Sequence, residues 1–160
     1  MDLLINLYDL QCRHDEQKLK ENGIVIRRAM SPDKGKVLDF IKTHYGEDWM
    51  HESEHAFSNS PITCYIAVKD KEIVGFGCYD ATAKGYFGPL GIKPGQKGGG
   101  IGTSLMYQCL TGLKEAGYGY GIIGWVDEAI EFYEKTIKMY KIPDSEPSNT
   151  IYQTLTALTK

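Results

Sequence analysis

The chain has 160 residues, a net charge of −3 and an apolar fraction of 42%. This length fits one domain with its own core. The acidic balance argues against a general nucleic-acid binder, which needs a basic surface. The first residues have neither the pattern of a signal peptide nor that of a membrane span. Scattered cysteines with no Cys-x-x-Cys spacing predict reduced, mostly buried thiols of a cytoplasmic protein; they are Cys12, Cys64, Cys78 and Cys109.

The first part of the chain predicts a helix, a strand and a second helix. Residues 1–20 begin with an apolar stretch and then become charged, which favours a short helix. Residues 23–29 alternate like a strand. Ser31-Pro32-Asp33 places a capping residue before a proline and an acid, which predicts a helix start. The chain is therefore divided into an N-terminal extension, residues 1–22, and a domain, residues 23–160. The apolar face of the second helix holds Val37, Leu38, Ile41 and Tyr45.

The middle of the chain predicts one helix and then three strands. Asp70-Lys71 separates two apolar runs, as in a hairpin turn. Gly88-Pro89 interrupts the last of the three strands, because proline cannot donate to a regular ladder. These elements cover residues 46–57 for the helix, and 62–69, 72–81 and 85–94 for the strands.

The last part of the chain follows a glycine-rich stretch, Gly91 to Met106. A helix comes next, and its apolar residues repeat every four positions. Gly117 is a natural end for that helix. Three more elements follow, a strand at 119–126, a helix at 127–140 and a strand at 150–158. The order β-α-α-β-β-β-α-β-α-β predicts an α/β protein with a mixed sheet.

The glycine-rich stretch predicts an anion site. Glycine permits positive φ and close approach of a ligand to the backbone. A loop of this kind that leads into a helix presents unpaired N–H groups to an anion. The stretch has no Gly-Lys-Ser/Thr ending, so it does not fit a P-loop, and Thr103 breaks the Gly-x-Gly-x-x-Gly spacing of a dinucleotide loop. Its closely spaced glycines are Gly98, Gly99, Gly100 and Gly102.

The same residues resemble the acetyl-CoA pyrophosphate loop of the GNAT acetyltransferase superfamily. The matching pattern is Ile92-x-Pro94-x-x-Lys97-Gly98-x-Gly100-Ile101-Gly102, with Lys97 where Arg or Gln is usual. The resemblance runs from about Gly23 to the C-terminus and is strongest to a bacterial subgroup of unknown acceptor. The strings YFGPLGIKP, GYGIIG and FYEK also support it. Lys138 stands where family members carry glycine. The resemblance implies a single-domain GNAT fold with a mixed, mostly antiparallel central sheet flanked by helices, whose fourth and fifth strands are splayed.

The resemblance also implies a reaction and the residues that perform it. The expected activity is acetyl transfer from acetyl-CoA to the amine of a small molecule or peptide, by direct attack in a ternary complex. Tyr133 would be the general acid, although Ile130, Tyr133 and Ile137 share one helical face and also fit a core. Val126-Asp127 replaces an Asn that many members direct at the cofactor. Backbone groups of Leu90, Gly91 and Ile92 would bind the pantetheine arm, and the pyrophosphate would lie on Lys97, Gly98, Gly99, Gly100, Ile101, Gly102 and Thr103.

The acceptor site and the general base are less clear from the sequence. Trp49, Tyr79 and Asp80 are candidates for the acceptor pocket, while the aromatic pair fits a core equally well. The apolar N-terminal stretch and the last strand are candidate surfaces of a homodimer. Candidates for the base, each of which is also an ordinary solvated group, are Asp80, Glu52, Glu54, His44 and Asp127.

Two alternatives to an acetyltransferase remain at this level. The segment from His51 to His55 matches His-Glu-x-x-His, the helical zinc motif of metalloproteases. No further histidine follows it, so a third ligand would have to be a carboxylate such as Asp80 or Asp127. We therefore expect no metal. The other alternative is a GNAT-fold module that binds acyl-CoA without turnover.

Overall fold

A computed structural model describes residues 1–11 and 15–156 of the chain. These residues form five α-helices and seven strands, joined by short 3-10 turns. The strands are β1 (Leu3–Asn6), β2 (Ile24–Arg28), β3 (Cys64–Lys69), β4 (Glu72–Tyr79), β5 (Tyr86–Ile92), β6 (Tyr120–Ile123) and β7 (Tyr140–Lys141). The helices are α1 (Glu16–Glu21), α2 (Lys34–Tyr45), α3 (Glu47–Glu54), α4 (Ile101–Glu115) and α5 (Ile130–Thr136).

All seven strands form one mixed sheet with the order β2-β3-β4-β5-β6-β1-β7. Strands β5 and β6 are parallel, whereas the other neighbours are antiparallel. The parallel pairing covers only Tyr86 with Ile122 and Phe87 with Ile123, after which β6 ends and β5 continues to Ile92. Strands β5 and β6 are the fourth and fifth strands of the sequence prediction. The predicted mixed sheet with splayed fourth and fifth strands is confirmed.

Turn chemistry predicts several boundaries correctly. Asp70 and Lys71 both have positive φ, 51° and 64°, as a tight turn between β3 and β4 requires. Gly117 has a φ of 102° and lies just beyond the last residue of α4. The start of α2 differs in one detail. A 3-10 turn, Ser31–Asp33, precedes the helix, whose own start has no side-chain cap. At this turn Asp33 Oδ2, rather than the Ser31 hydroxyl, accepts a hydrogen bond, from the backbone N–H of Met30 at 2.7 Å.

The predicted N-terminal helix is wrong for the first residues. Leu3–Asn6 is a strand inserted between β6 and β7, with Leu3 opposite Ile123 and Ile5 opposite Gly121. Leu3 and Ile5 are fully buried, while Leu4 is partly exposed. The string LLINL is apolar at four of its five positions, so the alternation of apolar and polar residues that is typical of a half-buried strand is not visible in the sequence. Helix α1 accounts for the charged part of the predicted segment.

Two predicted elements near the C-terminus also differ. The helix expected over 127–140 is limited to α5, because the chain becomes extended after Thr136 and pairs with β1 as β7. The expected last strand at 150–158 is a 3-10 turn over Ile151–Thr154. Residues 157 and 158 of that prediction lie outside the described part of the chain. Strand β1 occupies the place beside β6 that a final strand would otherwise fill.

The sheet carries apolar packing on both faces. Helices α4 and α5 pack on one face of the sheet, where they contact side chains of β1 and β6. Helices α2 and α3 pack on the other face. Gly75 permits the close contact of α4, since a Cβ there would lie 3.1 Å from both Ile101 and Leu105. The three described cysteines, Cys64, Cys78 and Cys109, are free and buried, as expected from the sequence. Burial raises the pKa of the Cys109 thiol well above its ordinary value.

Candidate functional site

The unpaired edge of β5 is the centre of the candidate site. Beyond Phe87, β5 has lost its parallel neighbour, so the edge from Gly88 to Ile92 is open within the described structure. Lys93 donates its N–H to Val74 of β4 at 2.8 Å. The backbone groups of Ile92 therefore face away from β4, toward the open edge, because successive residues of a strand alternate. Such an edge can bind an extended chain that carries amide groups.

The glycine loop lies directly after this edge. Gly98 and Gly100 have φ of 88° and 87°, values that only glycine adopts without strain. No side chain caps α4 at Gly100. The first hydrogen bond of the helix backbone is donated by the Ser104 N–H to the Gly100 carbonyl oxygen, at 3.1 Å. The N–H groups of the first helical residues are therefore available to a ligand. The predicted cradle, Lys97 to Thr103, lies at the positive end of a 15-residue helix, and its residues are exposed or partly exposed except Ile101, which is buried in the core.

Tyr133 lies beside the point where β5 and β6 part. Its ring packs edge-on against Phe87, with ring centroids 6.4 Å apart, and against Phe132 at 5.1 Å. The side chain is only 6% exposed, and its hydroxyl makes no hydrogen bond to any described residue. Burial raises its pKa strongly, with a smaller contribution from Cys109. Tyr133 is thus a protonated phenol with a free hydroxyl at the end of the paired strands.

Tyr45 contacts the candidate site, which the sequence analysis did not predict. It accepts the Ile92 N–H at 2.8 Å and donates to the Ile92 carbonyl at 2.6 Å, so it occupies both backbone groups of that residue. Its ring covers Gly91, where a Cβ would lie 2.5 Å from the ring. The apolar face of α2 included Tyr45, but nothing in the sequence indicates where its hydroxyl binds.

The candidate acceptor residues do not come together in one place. Trp49 stacks on Tyr45, with centroids 4.9 Å apart and planes 11° apart. Tyr79 is 2% exposed and hydrogen-bonded to Arg28 at 2.8 Å. Asp80 has positive φ and accepts the Gly85 N–H at 2.7 Å, a contact that shapes the β4–β5 turn. Trp49 is thus the candidate nearest to the open edge, and the other two have structural partners.

The base candidates also have distinct surroundings. Glu54 pairs with Lys34 at 3.3 Å, and exposed His44 packs against Phe40. Asp127 accepts a hydrogen bond from the Trp125 indole at 3.0 Å. Glu52 is partly buried and accepts a hydrogen bond from Thr82. Burial raises the pKa of Glu52, and the nearby charge of Asp48 adds to this, while the Thr82 bond opposes it.

The zinc motif lies on α3 and the turn that follows it. His51 and His55 are both exposed, and the intervening Glu52 is bound to Thr82. In the described ranges, no group of three His, Cys, Asp or Glu side chains is arranged to hold a metal ion. No helix in those ranges is long and apolar enough to cross a membrane.

Comparison with known proteins assigns the fold to a family. The sequence pattern of the Acetyltransferase (GNAT) family matches residues 33–139, which is more than half of the chain. The chain therefore belongs to the GNAT acetyltransferase family. A comparison with curated protein sequences gives no match.

Solved structures share this fold at low sequence identity. A GCN5-related glucosamine N-acetyltransferase region of a fungal multi-domain β-N-acetylglucosaminidase superposes with a TM-score of 0.68 at 14% identity, over 87% of this chain and 19% of that one. A GCN5-related N-acetyltransferase from Sphaerobacter thermophilus superposes with a TM-score of 0.66 at 17% identity, over 86% of this chain and 48% of that one. An aminoglycoside acetyltransferase from an uncultured soil metagenomic sample, in complex with trehalose, superposes with a TM-score of 0.54 at 16% identity, over 72% of this chain and 88% of that one. The chain thus spans about a fifth of the length of the fungal protein and about half of the length of the Sphaerobacter protein.

Proposed function

We propose that the protein is an acetyl-CoA-dependent N-acetyltransferase that acetylates an amine of a small molecule or peptide. The observation that carries the proposal is the edge of β5 beyond Phe87, which has no strand neighbour and lies between two features. The uncapped glycine loop before α4 follows one end of this edge, and Tyr133, whose ring packs on Phe87, lies at the other, so we take these three features as the path of the ligand. The path suits a ligand with an anionic end, an amide-bearing arm and a reactive group. Acetyl-CoA has these parts in this order. Family membership supports the same assignment.

Each part of the co-substrate has a proposed contact. The backbone N–H groups from Gly98 to Thr103 hold the pyrophosphate, and the exposed Lys97 adds a positive charge. The pantetheine amides pair with the outward-facing backbone groups of Leu90 and Ile92, and Gly91 between them, whose backbone groups face β4, contributes only close approach. The thioester then lies where β5 and β6 separate. A backbone N–H near Leu90 polarises its carbonyl, as in other sites that stabilise an oxyanion.

The reaction proceeds by direct attack of the amine. The amine nitrogen forms a bond to the acetyl carbon, and the bond from that carbon to sulfur breaks. The nitrogen loses one proton to water, and the departing thiolate gains one from the Tyr133 hydroxyl. The raised pKa of Tyr133 keeps this proton in place at neutral pH, and the same burial makes a nearby thiolate a stronger base. The tyrosine then regains its proton from solvent.

Titration of acetyl-CoA into the purified protein tests the binding part of the proposal. We expect micromolar affinity that weakens about tenfold in Gly100→Ala, because alanine at positive φ costs roughly 1–2 kcal/mol. Gly23→Ala is the matched control, since Gly23 has a similar positive φ of 74° and an open Cβ position but lies outside the loop, so it should leave the affinity unchanged. Absence of acetyl-CoA binding to the folded wild-type protein would refute the proposal.

Tyr133→Phe tests the catalytic part. The variant keeps the ring that packs on Phe87 and removes only a hydroxyl without a described partner. We therefore expect unchanged acetyl-CoA affinity and a kcat at least about 100-fold lower, the usual size of a general acid–base contribution. Release of free thiol from acetyl-CoA measures turnover. Equal turnover in both proteins would remove Tyr133 from the mechanism, and no turnover in either would favour the non-catalytic acyl-CoA-binding module.

A further inference from the structure

Three aromatic side chains meet at the end of β6, on a part of the site that the co-substrate does not use. Gly124 is the first residue after β6, and the rings of Tyr86 and Tyr152 both border it. A Cβ at Gly124 would lie 3.0 Å from a ring carbon of each. The ring of Trp125 packs on that of Tyr152, with centroids 5.1 Å apart. Tyr152 comes from the 3-10 turn near the C-terminus.

This cluster, which we call the aromatic corner (Tyr86, Trp125 and Tyr152), lies at the point where β5 and β6 separate. Gly124 directly follows Ile123, the last residue of β6 paired with β5. Tyr86 and Phe87 are adjacent in β5, so their side chains point to opposite faces of the sheet. Phe87 contacts Tyr133 on one face. The aromatic corner therefore borders the same gap from the other face.

Two carboxylates accompany the rings. Asp2 is 4% exposed, and its Oδ1 accepts the Trp125 N–H at 2.9 Å. Glu52 is held by Thr82, which lies shortly before Tyr86 in the chain. Burial raises the pKa of Tyr152, and the negative charges of Glu52 and Asp2 act on this ring in the same direction. Within residues 1–11 and 15–156, no lysine or arginine is paired with either carboxylate.

Such surroundings favour a cationic ligand. Buried carboxylates in proteins are normally paired with a positive group, because an isolated buried charge is costly. The faces of tyrosine and tryptophan rings attract ammonium groups, and the attraction grows when water is excluded. A second negative charge on the ligand would be repelled by both carboxylates. The corner therefore discriminates by charge.

We propose that the acceptor is a cationic primary amine with no carboxylate on the carbon next to its nitrogen, and that Glu52 and Tyr152 determine this specificity. The inference rests on the proposed acetyltransferase function and adds the class of acceptor. Amines of this kind include alkylamines and arylalkylamines, whereas free α-amino acids are excluded. Glu52 and Asp2 hold the ammonium group near the gap, where it loses a first proton to water and becomes the neutral amine that attacks the thioester. Tyr152 provides a wall for the remainder of the molecule.

The test compares phenethylamine with phenylalanine, which differ only by the α-carboxylate. The ratio of their kcat/KM values is measured at pH 8 by thiol release from acetyl-CoA. We expect the wild-type protein to prefer phenethylamine by at least about tenfold, and Glu52→Gln to reduce this ratio by about fivefold or more. Glu47→Gln is the matched control, because Glu47 is an exposed carboxylate on the same helix, paired with Lys42. It should leave the ratio unchanged.

Tyr152→Leu provides a second variant with a different readout. We expect it to lower kcat/KM for phenethylamine about tenfold, mainly through KM, without a change in acetyl-CoA affinity. Equal use of the two probes by the wild type, or an unchanged ratio in a folded Glu52→Gln variant, would overturn the inference. Acetyl-CoA binding with no turnover of either probe would also overturn it. Absence of acetyl-CoA binding would instead refute the underlying function.

Discussion

The Tyr45 hydroxyl occupies the position on β5 where the proposed pantetheine arm would bind. It satisfies both the N–H and the carbonyl of Ile92, which are otherwise the free groups of an open strand edge. A ligand that pairs with Ile92 must displace this hydroxyl. The free protein therefore protects its own edge with a side chain from α2, and co-substrate binding is a competition between two sets of hydrogen bonds.

Tyr45→Phe should consequently increase the affinity for acetyl-CoA. The variant keeps the ring that covers Gly91 and removes only the competing hydroxyl. A hydrogen bond of this kind contributes roughly 0.5–1.5 kcal/mol, so we expect Kd to fall by about 2–10-fold. Calorimetric titration of acetyl-CoA measures the change. Tyr8→Phe, at a tyrosine that is 72% exposed, serves as the control. Unchanged or weaker binding in Tyr45→Phe would show that Ile92 does not contact the arm.

At the scale of single elements, Asp33 connects strand β2 to helix α2. Its carboxylate accepts two hydrogen bonds from Arg27, at 2.7 and 2.9 Å, and one from the backbone of Met30. The hydrogen bonds from Arg27 lower the pKa of Asp33, and the Met30 N–H contributes to the same effect. One side chain thus fixes both the start of the helix and its position relative to the strand.

Asp33→Asn should destabilise the fold in a pH-dependent way. The pKa of Asp33 is lower in the folded protein than in the unfolded chain. Its contribution is therefore present above the unfolded value, near 4, and is lost as the pH falls through the folded value. We expect the free energy of unfolding to fall by about 1 kcal/mol at pH 7, and this difference to shrink at pH 3. Urea titration at both pH values measures it, with exposed Asp39→Asn as the control. A difference that is equal at both pH values would contradict this account.

At the scale of the whole molecule, strand β1 completes the sheet beyond β6. The side chains of Leu3 and Ile5 are fully buried among residues of α4 and β6. Asp2 continues the strand and donates its N–H to Ser145 at 2.8 Å, while its carboxylate accepts the Trp125 N–H. The first residues thus hold β6, the loop after it and the C-terminal segment in one arrangement.

Ile5→Ala should therefore be strongly destabilising. Removal of a fully buried isoleucine side chain leaves a cavity, and we expect the free energy of unfolding to fall by about 2–5 kcal/mol. Val25→Ala in β2 is the control, because Val25 is 51% exposed and should cost less than about 1 kcal/mol. Urea denaturation measures both. A loss below about 1 kcal/mol for Ile5→Ala would show that β1 is not part of the stable core.

The accuracy of the sequence prediction depends on how local the determining interaction is. The positive φ angles of the glycine loop, the Asp70-Lys71 turn and the end of α4 follow from backbone preferences of a few residues, and these conformations are confirmed. That the loop binds an anion stays a prediction. The strand Leu3–Asn6 was missed because its identity depends on pairing with β6, which lies far along the chain. In the candidate site, the contacts of Tyr45 and Tyr152 likewise depend on tertiary packing. The role of Tyr133 stays a prediction that activity must test.

The position of β1 also has a consequence for synthesis of the chain. Its partner β6 is translated long after it, since Leu3 pairs with Ile123, whereas β2, β3 and β4 pair with strands that follow soon after them. On the ribosome, the β2–β5 part of the sheet can form while β1 is still an unpaired apolar segment. Pairing over such a long stretch of chain is slow, and an unpaired apolar strand promotes aggregation. We therefore expect the pairing of β1 with β6 to be the last step in the formation of the sheet.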